Sequence, residues 1–65
     1  MDLNLRQLQA ITLGALNIRE EAGVKAKKVG TYNKGDVVTV YEQKKVGSQY
    51  WGRTDKGWVC MDNLK

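Results

Sequence analysis

Glycine spacing is the feature that most restricts how this chain can fold. Seven glycines and no proline occur among its 65 residues, so glycine supplies the turns and the segments between turns are short. The glycines stand at positions 14, 23, 30, 35, 47, 52 and 57. Beyond the first eight residues no helical period persists for ten residues, and segments this short favour strands. We therefore expect an all-β fold.

The segments between the glycines carry strand patterns of different strength. "LQAITL" (residues 8–13) alternates loosely, whereas "ALNIRE" alternates cleanly, with Leu16 and Ile18 on one face and polar residues on the other. "VGTY", "VVTVYEQ", "YWGRT" and "WVC" are further strand segments, and "VVTVYEQ" is the strongest because Val and Thr dominate it. Turns are predicted at "NKGD", "KKVGS" and "DKG", a long loop at "EEAGVKAKK", and one tight helical turn at "MDN". Short antiparallel strands with such frequent turns predict a small barrel or sandwich.

The same pattern sets the domain organisation. Residues 8–65 are predicted to form one domain, near the lower size limit for folding without metals or disulfides. Residues 1–7 are predicted to be a linker or an extra N-terminal strand. One cysteine allows no internal disulfide, and no apolar run reaches the roughly twenty residues needed to cross a bilayer.

The last hairpin, "TDKGW", has two possible registers. With a two-residue loop, Trp58 faces Arg53, and Trp51 lies on the same sheet face as Cys60. A three-residue loop with Gly57 in a left-handed bulge moves Trp58 to the opposite face. The sequence leaves both registers open, and with them the question of whether the two indoles adjoin.

Enzyme chemistry has little support in this sequence. Histidine is absent, so the commonest general base and the Cys–His nucleophile pair are missing. Cys60 lies in a predicted strand with no evident base beside it, and the adjacent Glu20 and Glu21 would point to opposite faces of a strand. One cysteine without histidine excludes the usual zinc sites, and "GRTDKG" lacks the spacing of a phosphate loop. We predict a non-enzyme with no metal and no cofactor.

Net charge indicates the kind of partner. Eleven Lys and Arg against seven Asp and Glu give +4 and a pI near 9.4, which suits an anionic wall polymer, nucleic acid or an acidic membrane surface. The same charge also serves ordinary solubility. The N-terminus has neither the basic nor the apolar region of a signal peptide, so export would depend on a parent protein, a lysis event or a sequence not present here.

Aromatic and basic side chains are the candidate binding residues. For any single aromatic a place in the core is the simpler explanation, but a barrel this small cannot bury all four on these strands. Arg53, between the tryptophans, could bind a carboxylate or stack on an indole. The Lys-rich loop "KAKK" (residues 25–28) could bind an anionic ligand or could simply be a solvated charged surface. The candidates are Trp51, Trp58, Tyr50, Arg53, Tyr41, Lys27 and Lys28.

Three segments resemble the bacterial SH3-like (SH3b) domains of wall amidases and phage endolysins from Gram-positive bacteria. "ALNIRE" resembles their Leu-Asn-Val-Arg opening, "VGTYNKGDVVTV" their Val-Ile-Gly-Thr-Leu-x-x-Gly-x-x-Val-x-Val segment, and "WGRTDKGWVCMDNL" their closing Gly-Trp-Val-x-x-x-x-Leu. The resemblance covers residues 8–65 and implies an SH3-like barrel of five to six short antiparallel strands, with a 3-10 turn near the C-terminus. It also implies a core of Leu16, Ile18, Val29, Val38, Val40, Val59 and Leu64.

The resemblance is weaker at the binding groove. Where the family has Ser-Gly-Pro and then an aromatic, this chain has "EEAG" and Ala26, and the family's Tyr before the final Leu is Asn63. A groove for proline-rich peptide is therefore not expected. Any ligand site is expected to rely on the candidate residues named above.

The resemblance implies a non-catalytic module that binds peptidoglycan and holds a parent hydrolase at the cell wall, outside the cell through that parent or after lysis. A second hypothesis is a structural spacer or oligomerisation domain without a wall ligand, in which residues 1–7 add an edge strand or pair two copies. A third is a basic small barrel that binds nucleic acid by stacking Trp and Tyr on bases. The third ranks last because the charge is modest and no nucleic-acid motif occurs.

Overall fold

The computed structural model describes residues 7–65, and within that range strands are the main regular secondary structure. The described residues form seven strands and one 3-10 turn: β1 (Leu8–Ile11), β2 (Leu16–Arg19), β3 (Lys28–Tyr32), β4 (Val37–Val40), β5 (Glu42–Val46), β6 (Gln49–Thr54), β7 (Gly57–Cys60) and the 3-10 turn Met61–Asn63. The predicted all-β, SH3-like fold with a 3-10 turn near the C-terminus is confirmed. The prediction for residues 1–7 falls outside the described range, except for the exposed Gln7.

The strand number exceeds the expected five to six because one predicted strand bends. "VVTVYEQ" divides into β4 and β5 at Tyr41, whose backbone N–H donates to the Arg53 carbonyl at 2.9 Å. The chain thereby passes from a two-stranded sheet, β1-β4, to a five-stranded sheet with the order β3-β2-β7-β6-β5. Both sheets are antiparallel.

Residues 8–13 form hydrogen bonds with two separate parts of the chain, the region around β4 and the C-terminal residues. β1 pairs with β4 from Leu8 opposite Val40 to Ile11 opposite Val37. Ile11 also exchanges backbone hydrogen bonds with Lys65, and the buried Thr12 accepts a bond at its hydroxyl from the Asp36 N–H at 2.9 Å. This strand therefore joins the turn after β3 to the C-terminal residues.

The core lies between the two sheets. It consists of Leu16, Ile18, Tyr32, Val38, Val40 and Val59, with Met61 and Leu64 packed against them. The prediction of Val29 as a core residue is wrong, since 49% of Val29 is exposed. Val29 occupies a bulge: Ile18 is opposite Gly30 and Arg19 is opposite Lys28, so Val29 has no cross-strand partner and the inward alternation breaks there.

A buried hydroxyl pair joins the core to the last turn. The Tyr32 O–H donates to the Thr54 hydroxyl oxygen at 2.9 Å, and the Thr54 O–H donates to the Gly57 carbonyl at 2.8 Å. The Lys56 N–H in turn donates to the Thr54 oxygen at 3.2 Å. The buried hydroxyl groups of Tyr32 and Thr54 therefore both have hydrogen-bond partners, as buried polar groups in stable folds generally do.

The hairpin after β6 adopts the two-residue register. Thr54 is opposite Gly57, Arg53 is opposite Trp58, and the cross-strand partner of Trp51 is Cys60. Trp51 and Trp58 therefore lie on the same face of the sheet.

The turn predicted at "KKVGS" begins later than expected. β5 continues through Lys44 and Lys45 to Val46, and the turn is confined to Gly47 and Ser48. Every residue of β5 is exposed, so the alternation of apolar and polar residues that marks a half-buried strand is missing there. Pairing with β6, rather than burial, defines this strand.

Candidate functional site

A single row of directly opposed residues crosses all five strands of the larger sheet. Opposed residues of an antiparallel pair project from the same face, so a continuous register aligns their side chains. In strand order, the row, here called the cationic row, consists of Lys28, Arg19, Trp58, Arg53 and Glu42. Their neighbours along the strands, such as Ile18 and Val59, are buried in the core. The cationic row therefore lies on the outer face.

Two contacts between a cation and an aromatic ring occur on this face. The Arg53 guanidinium carbon is 5.6 Å from the centroid of the Tyr41 ring, and the Lys44 ammonium is 5.8 Å from the centroid of the Trp58 ring. The Arg53 Nε also donates to a Glu42 carboxylate oxygen at 2.9 Å. The two side chains of this ion pair are 46% and 54% exposed, so water screens the pair and its contribution to stability is small.

The tyrosine at one end of this face has a polar partner. The Tyr41 O–H donates to a carboxylate oxygen of Asp55 at 2.7 Å. That hydrogen bond, followed by desolvation and the charge of the carboxylate, raises the pKa of Tyr41 above its ordinary value of 10.0.

A small cleft lies beside the cationic row, under the loop that joins β2 to β3. Its volume is about 240 Å³, below the roughly 300–1,000 Å³ of pockets that enclose drug-sized ligands, so it can accept one compact group of a ligand. The cleft is lined by Ala15, Leu16, Asn17, Arg19, Val24, Gln49, Trp51, Cys60 and Asn63. Side-chain amides and a guanidinium thus line the cleft together with apolar side chains.

Trp51 contributes a buried hydrogen-bond donor to this region. Only 3% of Trp51 is exposed, although it lies outside the main core cluster and on the same face as Arg53. Its indole Nε1 is buried and has no hydrogen-bond partner among residues 7–65. A buried donor without a partner costs about 1–3 kcal/mol.

The structure brings some of the predicted site residues together and separates others. Trp51, Trp58, Arg53 and Tyr41 share the outer face, and Lys28 ends the cationic row. Tyr50 is 52% exposed but follows the opposite side of β6, where the Lys45 ammonium lies 5.8 Å from its ring centroid. Lys27 is an exposed residue of the loop before β3.

Sequence reasoning missed several residues of this face. The sequence pattern predicts a turn at Lys44, which lies in β5, and it starts the strand "YWGRT" one residue after Gln49, where β6 begins. Arg19 and Asn17 occupied the polar positions of a correctly predicted strand, but their role depends on the cross-strand register. The alternation in "ALNIRE" was the only signal that could have found these two.

Between residues 7 and 65, no three or more His, Cys, Asp or Glu side chains are grouped so that they could hold a metal ion. The same part of the chain contains no helix with the length and apolar character needed to span a membrane. Cys60 is a partly buried free thiol at the edge of the cleft.

The two packed sheets, the C-terminal 3-10 turn and the cleft under the β2–β3 loop define a small SH3-like module. The family model described as "Bacterial SH3 domain" matches residues 14–65, and the chain belongs to this family. The resemblance drawn from three sequence segments is thereby confirmed. No curated protein and no solved structure matches the chain significantly.

Family membership carries a coarse functional statement. Bacterial SH3 domains are generally non-catalytic binding modules that bind cell-wall material and occur with catalytic domains. They are typical of extracellular or cell-wall proteins. Fold alone does not select a ligand, so ligand choice depends on the side chains of the cleft and the outer face.

Proposed function

We propose that this chain is a non-catalytic peptidoglycan-binding module of a wall hydrolase, of the amidase or phage-endolysin kind that acts on Gram-positive walls. In this role it works at the cell wall, outside the cell, through its parent protein or after lysis. The observation that carries the proposal is a cleft lined by the side-chain amides of Asn17, Gln49 and Asn63 together with Trp51. Family membership gives that cleft its expected ligand class.

The lining chemistry favours the peptide part of peptidoglycan. Asn17, Gln49 and Asn63 carry amide groups that both donate and accept hydrogen bonds, which complements a peptide backbone. The Arg19 guanidinium would donate to a carbonyl or terminal carboxylate oxygen, while Val24 of the overlying loop provides apolar contact. A volume of about 240 Å³ limits the bound portion to a small residue or two.

The departures from the family pattern favour the same ligand. Asn63 lines the cleft where the family has an aromatic ring, and Ala26 takes a second aromatic position. The Ala26 carbonyl accepts a hydrogen bond at 3.0 Å from Arg19, which ties the loop to β2. Hydrogen bonds therefore replace ring stacking as the main means of recognition.

Single contacts in so small a cleft are expected to be weak. A wall polymer repeats its peptide many times, so a tethered module that dissociates rebinds at high effective concentration. Retention of a parent enzyme at the wall therefore does not require tight binding to one peptide.

Co-sedimentation with Gram-positive sacculi, at low and at high salt, tests this function. We expect pelleting that survives high salt, because hydrogen bonds in a cleft are screened much less than surface charges. Gln49→Ala should weaken pelleting, whereas Gln43→Ala should not, because Gln43 is an exposed residue of β5 outside the cleft. If pelleting is absent, or disappears at modest salt, the spacer hypothesis becomes the better one.

A spectroscopic measurement locates the contact. Trp58→Phe leaves Trp51 as the sole tryptophan, so its emission reports on the cleft alone. Soluble peptidoglycan fragments should shift this emission in a saturable manner, and Gln49→Ala should raise the concentration required. Saturable sedimentation without any change in Trp51 emission would place the ligand elsewhere on the domain.

A further inference from the structure

We infer that the cationic row is a second subsite, adjacent to the cleft and sharing Arg19 with it, and that it binds an anionic phosphodiester polymer attached to the wall. The inference rests on the proposed function, because it takes the wall as the surface on which the module acts. Arg19 is the only side chain that the row shares with the cleft, and the ligand of the row belongs to a different chemical class.

Charge is the first argument. Lys28, Arg19 and Arg53 belong to the row, and the Lys44 ammonium lies over its central ring. The single carboxylate of the row, Glu42, stands at one end and is paired with Arg53. This is the one ion pair among residues 7–65, so the cations of the row are otherwise not neutralised by a carboxylate of the described chain.

Donor capacity remains on the two arginines after their internal contacts. Arg19 uses an N–H of one terminal nitrogen for the Ala26 carbonyl, and Arg53 uses its Nε–H for Glu42. A guanidinium has five N–H donors, and its fork matches the oxygens of a phosphate. Both side chains can therefore be held in place by the protein and still bind an anion.

Spacing favours a polymer over a single anion. Neighbouring strands lie about 4.8 Å apart, so Lys28 and Arg53, three strands apart in the sheet, are separated by roughly 14 Å along the row. One phosphate or carboxylate cannot contact both ends of such a row. A linear chain with regularly spaced phosphates, lying across the strands, contacts several cations at once.

The centre of the row fits the carbon segments of such a chain. Trp58 is half-buried between Arg19 and Arg53 as their direct cross-strand neighbour. Its ring can pack against the carbons between two phosphates, while the flanking cations and Lys44 bind the phosphates themselves. Glu42 disfavours extension of an anionic ligand beyond β5, so the row has a defined end.

Two adjacent lysines form a matched pair for the test. Lys44 and Lys45 are both exposed residues of β5, and each ammonium lies 5.8 Å from an aromatic centroid. Lys44 lies over Trp58 of the row, whereas Lys45 lies over Tyr50 outside it. Lys44→Met and Lys45→Met therefore remove the same charge from the same strand and differ only in position.

The experiment compares sacculi that retain a poly(glycerol phosphate) wall polymer with the same sacculi after hydrofluoric acid has removed it. The unaltered domain should bind the intact sacculi more tightly. Lys44→Met should weaken that binding about two- to fivefold, the range expected for one exposed ion pair, and leave binding to stripped sacculi unchanged. The slope of log affinity against log salt should fall by about 0.7, and Lys45→Met should behave like the unaltered domain. Circular dichroism should show both variants folded.

Several results would overturn the inference. Equal losses for the two lysines mean diffuse charge attraction, and no loss for Lys44→Met means that the row does not bind the polymer. A single-stranded oligonucleotide that binds as tightly as free poly(glycerol phosphate), with the same dependence on Lys44, would identify a nucleic-acid site instead. Failure of the proposed function is distinct: stripped sacculi would then show no binding that depends on Gln49, whatever the two lysine variants do.

Discussion

Gly57→Ala is the substitution for which the structure predicts the largest loss of stability from a single methyl group. Gly57 begins β7 with φ at +141°, a region that residues with a side chain rarely adopt. A Cβ at this position would lie 2.7 Å from the backbone oxygen of Arg19 and 2.9 Å from Cγ2 of Ile18. The first of these contacts involves backbone, so no rotation of a side chain can relieve it.

The expected magnitude is the sum of two terms. Holding a non-glycine residue in this backbone region costs about 1–3 kcal/mol. Forcing a methyl group against packed atoms costs about 1–3 kcal/mol more. Alanine also reduces the entropy of the unfolded chain, which offsets about 0.4–1 kcal/mol. The net loss of about 1–6 kcal/mol compares with a total stability of roughly 3–10 kcal/mol for a domain of 65 residues.

Two other glycines separate these terms. Gly47 has φ at +65° and no atom within 4 Å of an added Cβ, so Gly47→Ala measures the backbone term alone. Gly52 has no positive φ, but its Cβ would lie 2.5 Å from Sδ of Met61 and 2.8 Å from Cγ1 of Val40, so Gly52→Ala measures the steric term. We expect Gly57→Ala to be more destabilising than either control.

Equilibrium unfolding in urea, followed by tryptophan fluorescence, gives the free energy for each variant at an unchanged slope against denaturant. If Gly57→Ala unfolds at the same urea concentration as Gly47→Ala, the close approach of β7 to Arg19 makes no energetic difference and the reasoning fails.

Two further predictions concern side chains of the outer face. Spectrophotometric titration should show that Tyr41 ionises above pH 10.0, and the signal is assigned to Tyr41 because it disappears in Tyr41→Phe. Asp55→Ala should lower the pKa of Tyr41 by removing the hydrogen bond. The pKa of Tyr41 is raised in the folded state, so the hydrogen bond to Asp55 stabilises the fold fully below the pKa that Tyr41 has in the unfolded chain. This stabilisation is lost as pH rises through the pKa that Tyr41 has in the folded protein. An unchanged pKa of Tyr41 in Asp55→Ala would contradict this explanation. Trp58→Ala should weaken binding to sacculi more than Lys27→Ala and Lys28→Ala combined, because the half-buried ring offers a large contact area while the lysines are exposed. A comparable or larger loss from the lysine pair would refute that ranking.

Local patterns were sufficient to predict most of the strands and the centre of the core. Leu16 and Ile18 are buried where alternation in "ALNIRE" placed them, and Val38 and Val40 follow the same rule in β4. These predictions succeed because one face of each strand is buried, so its sequence has a period of two.

The errors occur where that period fails for a physical reason. Val29 lies in a bulge, which shifts the alternation by one residue and turns the side chain outward. β5 has no buried face at all, so Lys44 and Lys45 resemble a turn. Trp51 is buried on the outer face, which a pattern based on one buried face cannot anticipate.

The candidate site depends on register, and register is a tertiary property. Arg19 and Arg53 are far apart in sequence, and both become neighbours of Trp58 only when β7 pairs with β2 on one side and β6 on the other. A one-residue slip in the β6–β7 hairpin would send Trp58 to the opposite face and interrupt the row. The sequence allowed two registers for this hairpin, so it could name the residues of the site but not their arrangement.

Gly57 is important both for the stability of the barrel and for the proposed binding face, because it lies against Arg19 of the cationic row. A methyl group there would push β7 away from the Arg19 carbonyl, beside the Arg19–Trp58 pair on which the cationic row depends. Gly57→Ala should therefore weaken binding to polymer-bearing sacculi even at temperatures where the variant remains folded. Gly52→Ala tests this, because it crowds Val40 and Met61 on the inner side of β6 and leaves the β2–β7 pairing untouched. If both folded variants keep full affinity, the row does not require the close approach of these two strands.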